Sequence, residues 1–183
     1  MVCGELVEDL CLMTNLTTGE PTHVDPASVP VLNHLDFLCR VVLPGEATAG
    51  SISVIEQRAR LGCMTPRHVH AREAETFIVL DGALEGWCEG QVSRVEAGQL
   101  IHLPVNREHA YRVVSDRAHY YLLVTPAGFE TFFQETGTVL DQQFEGELPI
   151  PGPVSPEKVS ELVAVLTPLG ASITGPPPFG PEA

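Results

Sequence analysis

The alternation of apolar and polar positions divides the chain into three zones. Residues 1–35 are largely polar and carry several prolines, which predicts an extended N-terminal arm with at most a short helix near Glu5–Leu12. Residues 36–126 carry short apolar runs separated by turn residues, a pattern typical of the strands of a sandwich or barrel. These runs are LCRVVL, SISVIEQ, ETFIVL, ALEGWC, QLIHL, HAYRVV and HYYLLV.

The third zone, residues 127–183, has helical periodicity. Phe129, Phe132 and Phe133 recur at the spacing of one helix face, which predicts a helix over 128–135 packed on the barrel. A second helix is expected to begin at Ser155 with a cap and a proline in its first turn, and a proline-rich tail follows it. Its apolar face is formed by Leu162, Val163 and Leu166, and Pro168 and Gly170 are expected to end it. The pattern as a whole predicts an all-β domain with flanking helices.

Four residues able to bind a divalent metal lie in the strand-rich zone. Side chains alternate between the faces of a strand, so His68 and His70 project to the same side and can hold one ion together. A turn at 71–74 would bring Glu75 to that ion from the neighbouring strand, and His109 would arrive from a separate strand. This set would leave about two coordination positions for water, substrate or dioxygen, and it suits Fe, Ni, Co, Mn or Zn without choosing among them.

A His-x-His pair on a strand can also be a surface or packing feature. Gly62 and Gly82 flank the first segment, and Gly98 and Pro104 flank the start of the second, at places where a β-rich fold needs turns. Because both segments are present in order, the sequence favours a metal site over simple packing.

The first segment resembles the first sequence motif of the cupin superfamily. It fits G-x5-H-x-H-x4-E-x6-G at Gly62, His68, His70, Glu75 and Gly82. The resemblance implies that residues 36–126 fold as a cupin double-stranded β-helix, a jelly-roll barrel.

The second segment is similar to the second cupin motif, G-x5-P-x-G-x2-H-x3-N. Gly98, Pro104 and His109 match it, while Asn106 stands where the motif has glycine and Val113 where it has asparagine. Asparagine tolerates a positive φ better than most residues, so the change at position 106 is expected to be mild.

The chain also looks like the single-domain cupins of the quercetin 2,3-dioxygenase-like group. The segments that carry this likeness are DFLCRVVLPGEATAGSISVIEQ and VTPAGFETFFQETG. Enzymes of this type bind one metal through three His and one Glu, and they open the central ring of a flavonol with O2, releasing carbon monoxide. Carried over by motif position, the likeness implies that His68, His70, Glu75 and His109 bind one divalent Ni, Fe, Co, Mn, Cu or Zn ion. It also makes Glu75 the candidate base for the substrate hydroxyl proton.

Three side chains are in phase with the inward-facing ligands and would form an apolar lining for a flat aromatic substrate. They are Phe77, Val79 and Tyr111. Phe77 and Val79 fit an ordinary barrel core equally well, whereas the Tyr111 hydroxyl would need a partner when buried. His102 and His119 fall outside the motif positions and are assigned to surface or core packing.

Composition narrows the partners and the compartment. The net charge of −14 argues against nucleic acid and against an anionic membrane surface. Five scattered cysteines without a CxxC pair favour reduced thiols, and no signal peptide or long apolar stretch is visible, so a cytoplasmic protein is expected.

Three classes of function fit these observations. The first is a metal-dependent dioxygenase that cleaves a flavonol or a related enolisable aromatic. The second is a non-oxidative metal-dependent enzyme, such as an isomerase, cyclase or lyase of secondary metabolism. The third is a small-molecule-binding protein without turnover, although such a protein has no need of a metal site with open positions. A homodimer is expected, because the edge strands of single cupin barrels usually pair between subunits.

Overall fold

A computed structural model describes residues 21–180 of the chain, so the helix expected near Glu5–Leu12 lies outside the described residues. Within this range, twelve strands form two antiparallel sheets around the main hydrophobic core. The seven-stranded sheet has the spatial order β11 (Thr138–Leu140), β1 (Val31–His34), β2 (Phe37–Leu43), β3 (Ser53–Arg60), β10 (Arg117–Thr125), β5 (Ala74–Asp81) and β8 (Leu100–Leu103). The five-stranded sheet has the order β12 (Ala171–Gly175), β4 (Arg67–His70), β9 (His109–Val113), β6 (Ala83–Cys88) and β7 (Gln91–Glu96). The predicted all-β fold class is confirmed.

The buried positions of the central strands alternate as the sequence pattern requires. On β10, Ala118, Tyr120, Leu122 and Val124 are buried and the residues between them are partly exposed. Burying these side chains removes apolar surface from water and holds the two sheets together. The inward faces of both sheets therefore form one continuous core.

A glycine is needed where β5 turns into β6. Gly82 has φ +79°, and a Cβ placed there would lie 2.2 Å from the Arg117 carbonyl oxygen. Only glycine tolerates both the left-handed conformation and this close approach. Asn106 has φ 60°, which confirms that the asparagine in the second motif takes the conformation usually reserved for glycine.

Several short strands lie outside the predicted apolar runs. Strand β6 coincides with the predicted run ALEGWC and pairs with β7, which no run predicted, and β12 lies between the second predicted helix and the proline-rich tail. Most of β7 is exposed, and β12 contains serine, threonine and glycine, so neither carries a strong apolar alternation. Strand β1 pairs with β2, so the main sheet already begins at Val31.

In the described part of the chain, one α-helix lies between β10 and β11 and a second between β11 and β12. Helix α1 (Glu130–Thr136) buries Phe132 and Phe133, and helix α2 (Pro156–Leu169) buries Leu162 and Leu166. The Ser155 hydroxyl accepts a hydrogen bond from the Lys158 amide, and Gly170 ends α2 with φ 84°. Pro168 lies within the last turn and does not end the helix. Among residues 21–180, no helix is long and apolar enough to cross a membrane.

His34 at the end of β1 is packed among phenylalanine rings. Its ring centroid lies 5.0 Å from that of Phe37, 4.9 Å from that of Phe132 and 5.4 Å from that of Phe133. Burial, followed by the positive charge of Lys158, lowers the pKa of His34 to about 4. The imidazole is therefore neutral in the folded protein at neutral pH.

This burial makes stability depend on pH. An unfolded chain protonates this histidine near pH 6.5, whereas the folded chain protonates it only near its pKa of about 4. Stability is therefore lost as pH falls through this window, by about 2 kcal/mol between pH 7 and pH 5 on account of His34. We expect His34→Gln to lose correspondingly less stability over the same interval, measured by urea unfolding at both pH values. His23→Gln, at an exposed position, is the control; a parent-like pH dependence of His34→Gln would contradict the assignment.

Candidate metal centre

Three strands from both sheets deliver the four predicted ligands to one place. His68 and His70 lie on β4, His109 opens β9 directly opposite His68, and Glu75 lies near the start of β5. The chain turns back between His70 and Ala74, where the sequence placed the turn. Because β5 belongs to the other sheet, the site forms only when the two sheets close around the core.

The ligand atoms are close enough to share one ion. The nearest Glu75 carboxylate oxygen lies 3.2 Å from His109 Nε2, 3.7 Å from His70 Nε2 and 4.0 Å from His68 Nε2. All four ligand atoms lie within 4.8 Å of one another. Three imidazole nitrogens and one carboxylate form a donor set suited to divalent transition metals.

The orientations of two imidazoles favour a cation between them and Glu75. His68 Nδ1 lies 2.9 Å from the Pro66 carbonyl oxygen, and His109 Nδ1 lies 2.8 Å from the Arg107 carbonyl oxygen. A carbonyl oxygen only accepts hydrogen bonds, so each Nδ1 donates, and a ring that carries a single proton turns the lone pair of its Nε2 towards the carboxylate. Two lone-pair donors facing each other are stabilised by a shared cation.

The surroundings of His70 also indicate whether the cluster suits a metal ion. It is fully buried, and neither of its ring nitrogens has a hydrogen-bond partner among the described residues. Its Nδ1 lies 3.7 Å from Glu73 Oε2, a charge contact longer than a hydrogen bond. A buried nitrogen without a partner is costly, and a metal ion at Nε2 would satisfy it. The residues present therefore fit the ion that the donor set implies.

The electrostatics favour the metal-binding forms of Glu75 and His68. Burial acts to raise the pKa of Glu75, but the neighbouring His70, His109 and His68 outweigh it and lower the pKa to about 2. Burial, followed by His109, lowers the pKa of His68 to about 4. The pKa of His70 is raised, because Glu75 and Glu73 together outweigh its burial. An ionised carboxylate and a neutral imidazole are the forms that bind metals.

The cluster borders a cavity of about 120 Å³. Its wall is largely apolar, and none of the described residues that line it is a lysine or arginine. Helices α1 and α2 and strand β12 supply much of this wall. Its main apolar members are Phe37, Leu122, Phe129, Phe132, Leu166 and Ile173.

Of the three predicted lining residues, the structure brings one to the cavity. Tyr111 lines it, whereas Phe77 and Val79 lie in the core. Each two residues of strand advance about 7 Å, so Phe77 lies below Glu75 and Val79 lies deeper still. The Phe77 ring packs under Tyr111 with a centroid separation of 4.7 Å. The alternation along the strand therefore predicts that Phe77 and Val79 face inward, but it does not show that they lie too deep to reach the cavity.

The Tyr111 hydroxyl has the partner that its burial requires. It donates to Gln57 Oε1 at 3.4 Å and accepts from the Tyr120 hydroxyl at 3.3 Å. Burial, followed by the neighbouring Tyr120, raises the pKa of Tyr111 well above 10, so this hydroxyl remains a neutral donor.

Sequence reasoning missed Gln57 and the position of Phe129 in the cavity wall. Gln57 is a polar residue on an inward position of β3, a signal visible in the sequence as an interruption of the apolar alternation. Phe129 was assigned only to helix packing, yet its ring lies 4.2 Å from that of His70 and lines the cavity.

The other two histidines considered make contacts away from the ligand cluster. His102 lies on exposed β8 surface and pairs with the Thr76 hydroxyl at 2.9 Å. His119 Nε2 lies 2.7 Å from Glu56 Oε1, on the outer face of the seven-stranded sheet, where Glu56 also binds Arg40.

Comparison with known proteins supports the same fold and site. The family described as "Cupin domain" matches residues 57–125, a range that contains all four ligands. The quercetin 2,3-dioxygenase of Bacillus subtilis (strain 168) is 31% identical over 102 residues, which cover 56% of this chain and 30% of that enzyme. The chain therefore spans less than a third of this relative's length.

Solved structures give the same architecture at low identity. KdgF from Halomonas sp. aligns with a TM-score of 0.54 and 15% identity, covering 60% of this chain and 99% of that one. The polyketide cyclase RemF from Streptomyces resistomycificus aligns with a TM-score of 0.50 and 20% identity, covering 60% of this chain and 81% of that one. At these identities the likeness establishes the fold alone.

Residues 57–125 form a cupin domain, and the resemblance to quercetin 2,3-dioxygenase-like cupins is confirmed. The domain carries a His3Glu cluster able to bind one metal ion.

Removal of one ligand tests the metal centre. We expect His109→Ala to weaken metal binding by at least about 100-fold, since even partners of ligating residues typically contribute 10- to 100-fold. Metal content after dialysis, measured by mass spectrometry, gives the readout. His102→Ala is the matched control, because that histidine lies on the neighbouring surface outside the cluster. Equal metal content in His109→Ala and the parent would contradict the assignment.

Proposed function

We propose that this protein is a metal-dependent cupin dioxygenase that cleaves the ring of a flavonol or a related enolisable aromatic with O2. The observation that carries the proposal is the position of Glu75, a buried carboxylate among three imidazoles that borders an apolar cavity. The 31% identity to a quercetin 2,3-dioxygenase over 102 residues supports this reaction class.

The charge of the cavity favours a neutral aromatic substrate. Its acidic lining residues are Asp36 and Glu75, and the described lining contains no lysine or arginine to neutralise a substrate carboxylate. Burial raises the pKa of Asp36, and the same low-dielectric surroundings would disfavour a further negative charge there. A flat ring, by contrast, can pack against Phe129, Phe132 and Leu122.

His68, His70, Glu75 and His109 would hold the ion. When bound, a divalent metal would lower the pKa of a substrate hydroxyl beside it and promote its reaction with O2. Glu75 would take the hydroxyl proton, because a carboxylate loosens from a metal more readily than imidazole does. The apolar wall from α1 and α2 would hold the resulting electron-rich ring in place and exclude water.

A non-oxidative reaction is the second candidate. The same base and cavity suit an isomerase, cyclase or lyase that needs only proton transfer on a metal-activated substrate. One observation favours it. The cavity of about 120 Å³ is below the roughly 300 Å³ at the lower end of common ligand sites, so a flavonol needs side-chain rearrangement where a smaller ring does not.

A cytoplasmic location and a homodimer remain part of the proposal. Edge strand β8 exposes 61% of Leu100, and edge strand β11 exposes 68% of Val139. Apolar side chains on sheet edges are typical of strands that pair with another chain.

Oxygen consumption distinguishes the two reaction classes. The protein would be loaded separately with Ni, Fe, Co, Mn, Cu and Zn and assayed against a flavonol panel in an oxygen electrode, with carbon monoxide detected in parallel. We expect O2 uptake matched by carbon monoxide release with at least one metal. Substrate conversion without O2 uptake would support the non-oxidative candidate and overturn the dioxygenase.

The role of Glu75 as a base gives a separate prediction. We expect Glu75→Gln to lower kcat by about 100-fold or more, the usual contribution of a positioned base, when compared at equal bound metal. Glu135→Gln, an exposed change on α1, is the control for loss of a carboxylate elsewhere. Undiminished turnover of metal-loaded Glu75→Gln would remove the base role.

A further inference from the structure

Glu73 is a buried carboxylate in the connection between β4 and β5. It is 5% exposed, and its Oε2 has no hydrogen-bond partner among the described residues. In that part of the chain its one ion-pair contact is with His70, whose Nδ1 lies 3.7 Å from Oε2. Burying a carboxylate is costly unless charge or hydrogen bonds compensate for its lost hydration. The burial of Glu73 therefore directs attention to its contact with His70.

His70 lies between two carboxylates. Its Nε2 is 3.7 Å from Glu75 Oε1, and its Nδ1 is 3.7 Å from Glu73 Oε2. With an ion bound, Nε2 would give its lone pair to the metal, so the proton of a neutral ring would be on Nδ1. A displacement of less than about 1 Å brings Glu73 into hydrogen-bond range of that proton. The contact is therefore suited to a hydrogen bond that depends on the metal-binding tautomer of His70.

The other two histidines of the cluster have a different kind of partner. The Nδ1 atoms of His68 and His109 lie 2.9 Å and 2.8 Å from backbone carbonyl oxygens, which are neutral acceptors. A hydrogen bond to a charged acceptor is roughly twice as strong as one between neutral groups. A carboxylate behind a metal-bound imidazole also increases the basicity of the ligand. Glu73 therefore distinguishes His70 from the other two imidazoles.

The chain around Glu73 is held in place by two neighbouring segments. The Ala71 amide donates to the carbonyl oxygen of Gly170, the residue that ends α2, at 3.0 Å. On another side, a Cβ placed at Gly128 would lie 4.0 Å from Glu73 Oε1, so the loop before α1 packs against the carboxylate. These contacts give the carboxylate a defined place beside His70.

We propose that Glu73 is a positioning residue of the metal centre, whose carboxylate accepts the Nδ1 proton of His70 and so directs Nε2 to the ion. Glu73 is not part of the four-residue group whose ligand atoms lie within 4.8 Å of one another, so it acts through His70 and not as a ligand. The inference concerns the metal centre alone and holds for either candidate reaction.

Zinc affinity tests the role of Glu73 without any substrate. The dissociation constant is measured by competition with a chromophoric chelator. We expect Glu73→Leu, which removes the acceptor, to weaken zinc binding by about 10- to 100-fold, the usual effect of losing the outer partner of a ligating histidine. Glu73→Gln keeps a neutral acceptor, and its affinity is expected to lie between those of Glu73→Leu and the parent.

The ring protons of the zinc-loaded protein give a second readout. Nuclear magnetic resonance of the 15N-labelled protein is expected to show an Nδ1 proton for each of His68, His70 and His109. In both Glu73 variants the His70 signal is expected to move upfield or disappear, because its hydrogen bond is weakened or lost, while the other two signals stay in place. A merely structural role of Glu73 would not change the His70 signal selectively.

Glu56→Gln is the matched control for loss of a buried carboxylate. Glu56 is 4% exposed, but it lies on the outer face of the seven-stranded sheet, where it pairs with Arg40 and His119. This variant is expected to lower the melting temperature and to keep the zinc affinity of the parent. If Glu73→Leu does not fold, Glu73→Gln decides the question with the same two readouts.

The outcomes separate this role from the proposed reaction. Parent-like zinc affinity in every folded Glu73 variant would overturn the positioning role, and so would weaker affinity with an unchanged His70 Nδ1 signal. A parent that binds no zinc would overturn it together with the metal centre. A metal-loaded protein that consumes no O2 would overturn the dioxygenase alone and leave the role of Glu73 to these measurements.

Discussion

Burial of the Glu75 carboxylate among three imidazoles is the interaction on which the rest of the structure depends. Glu75 is 3% exposed, and a buried carboxylate is tolerated only when positive charge or hydrogen bonds compensate for its lost hydration. The compensating groups come from β4 and β9 of one sheet, while Glu75 comes from β5 of the other. The cluster and the closed barrel therefore require each other, and an ion bound to all four ligands would stabilise the folded chain by mass action.

The segment after the barrel completes this centre. Strand β12 pairs with β4 so that Ala171 lies opposite His70 and Ile173 opposite His68. Side chains of Arg72 and Arg67 donate to the Pro168 and Pro176 carbonyl oxygens, and so hold the two ends of this strand. The same segment carries apolar residues to the cavity wall. The C-terminal zone therefore covers the ligands on one side, as the barrel does on the other sides.

The sequence predicted features that follow the two-residue alternation of a strand or that require a particular backbone dihedral angle. His68 and His70 could be assigned to one face from period two alone, and Asn106 could be assigned to a left-handed turn. The sequence does not show how deep a residue lies along its strand. Val79 therefore points to the same face as Glu75, but it lies in the core. The cavity wall was hidden for another reason. Whether Phe129 packs on the outside of a barrel or over its ligands depends on where the connection after β10 leads, which periodicity does not encode.

The charge of the cavity separates substrate classes more sharply than its shape does. Asp36 and Glu75 are acidic, no lysine or arginine is found among its described lining residues, and charges interact strongly where water is excluded. A dicarboxylate would bring two negative charges, of which a divalent ion held by Glu75 would balance about one, whereas a neutral phenol brings none. Gln57 and His34, which also line the cavity, are uncharged at neutral pH. Both candidate reactions would begin with the same binding and the same proton transfer, so they differ in the later fate of the substrate and not in the residues that receive it.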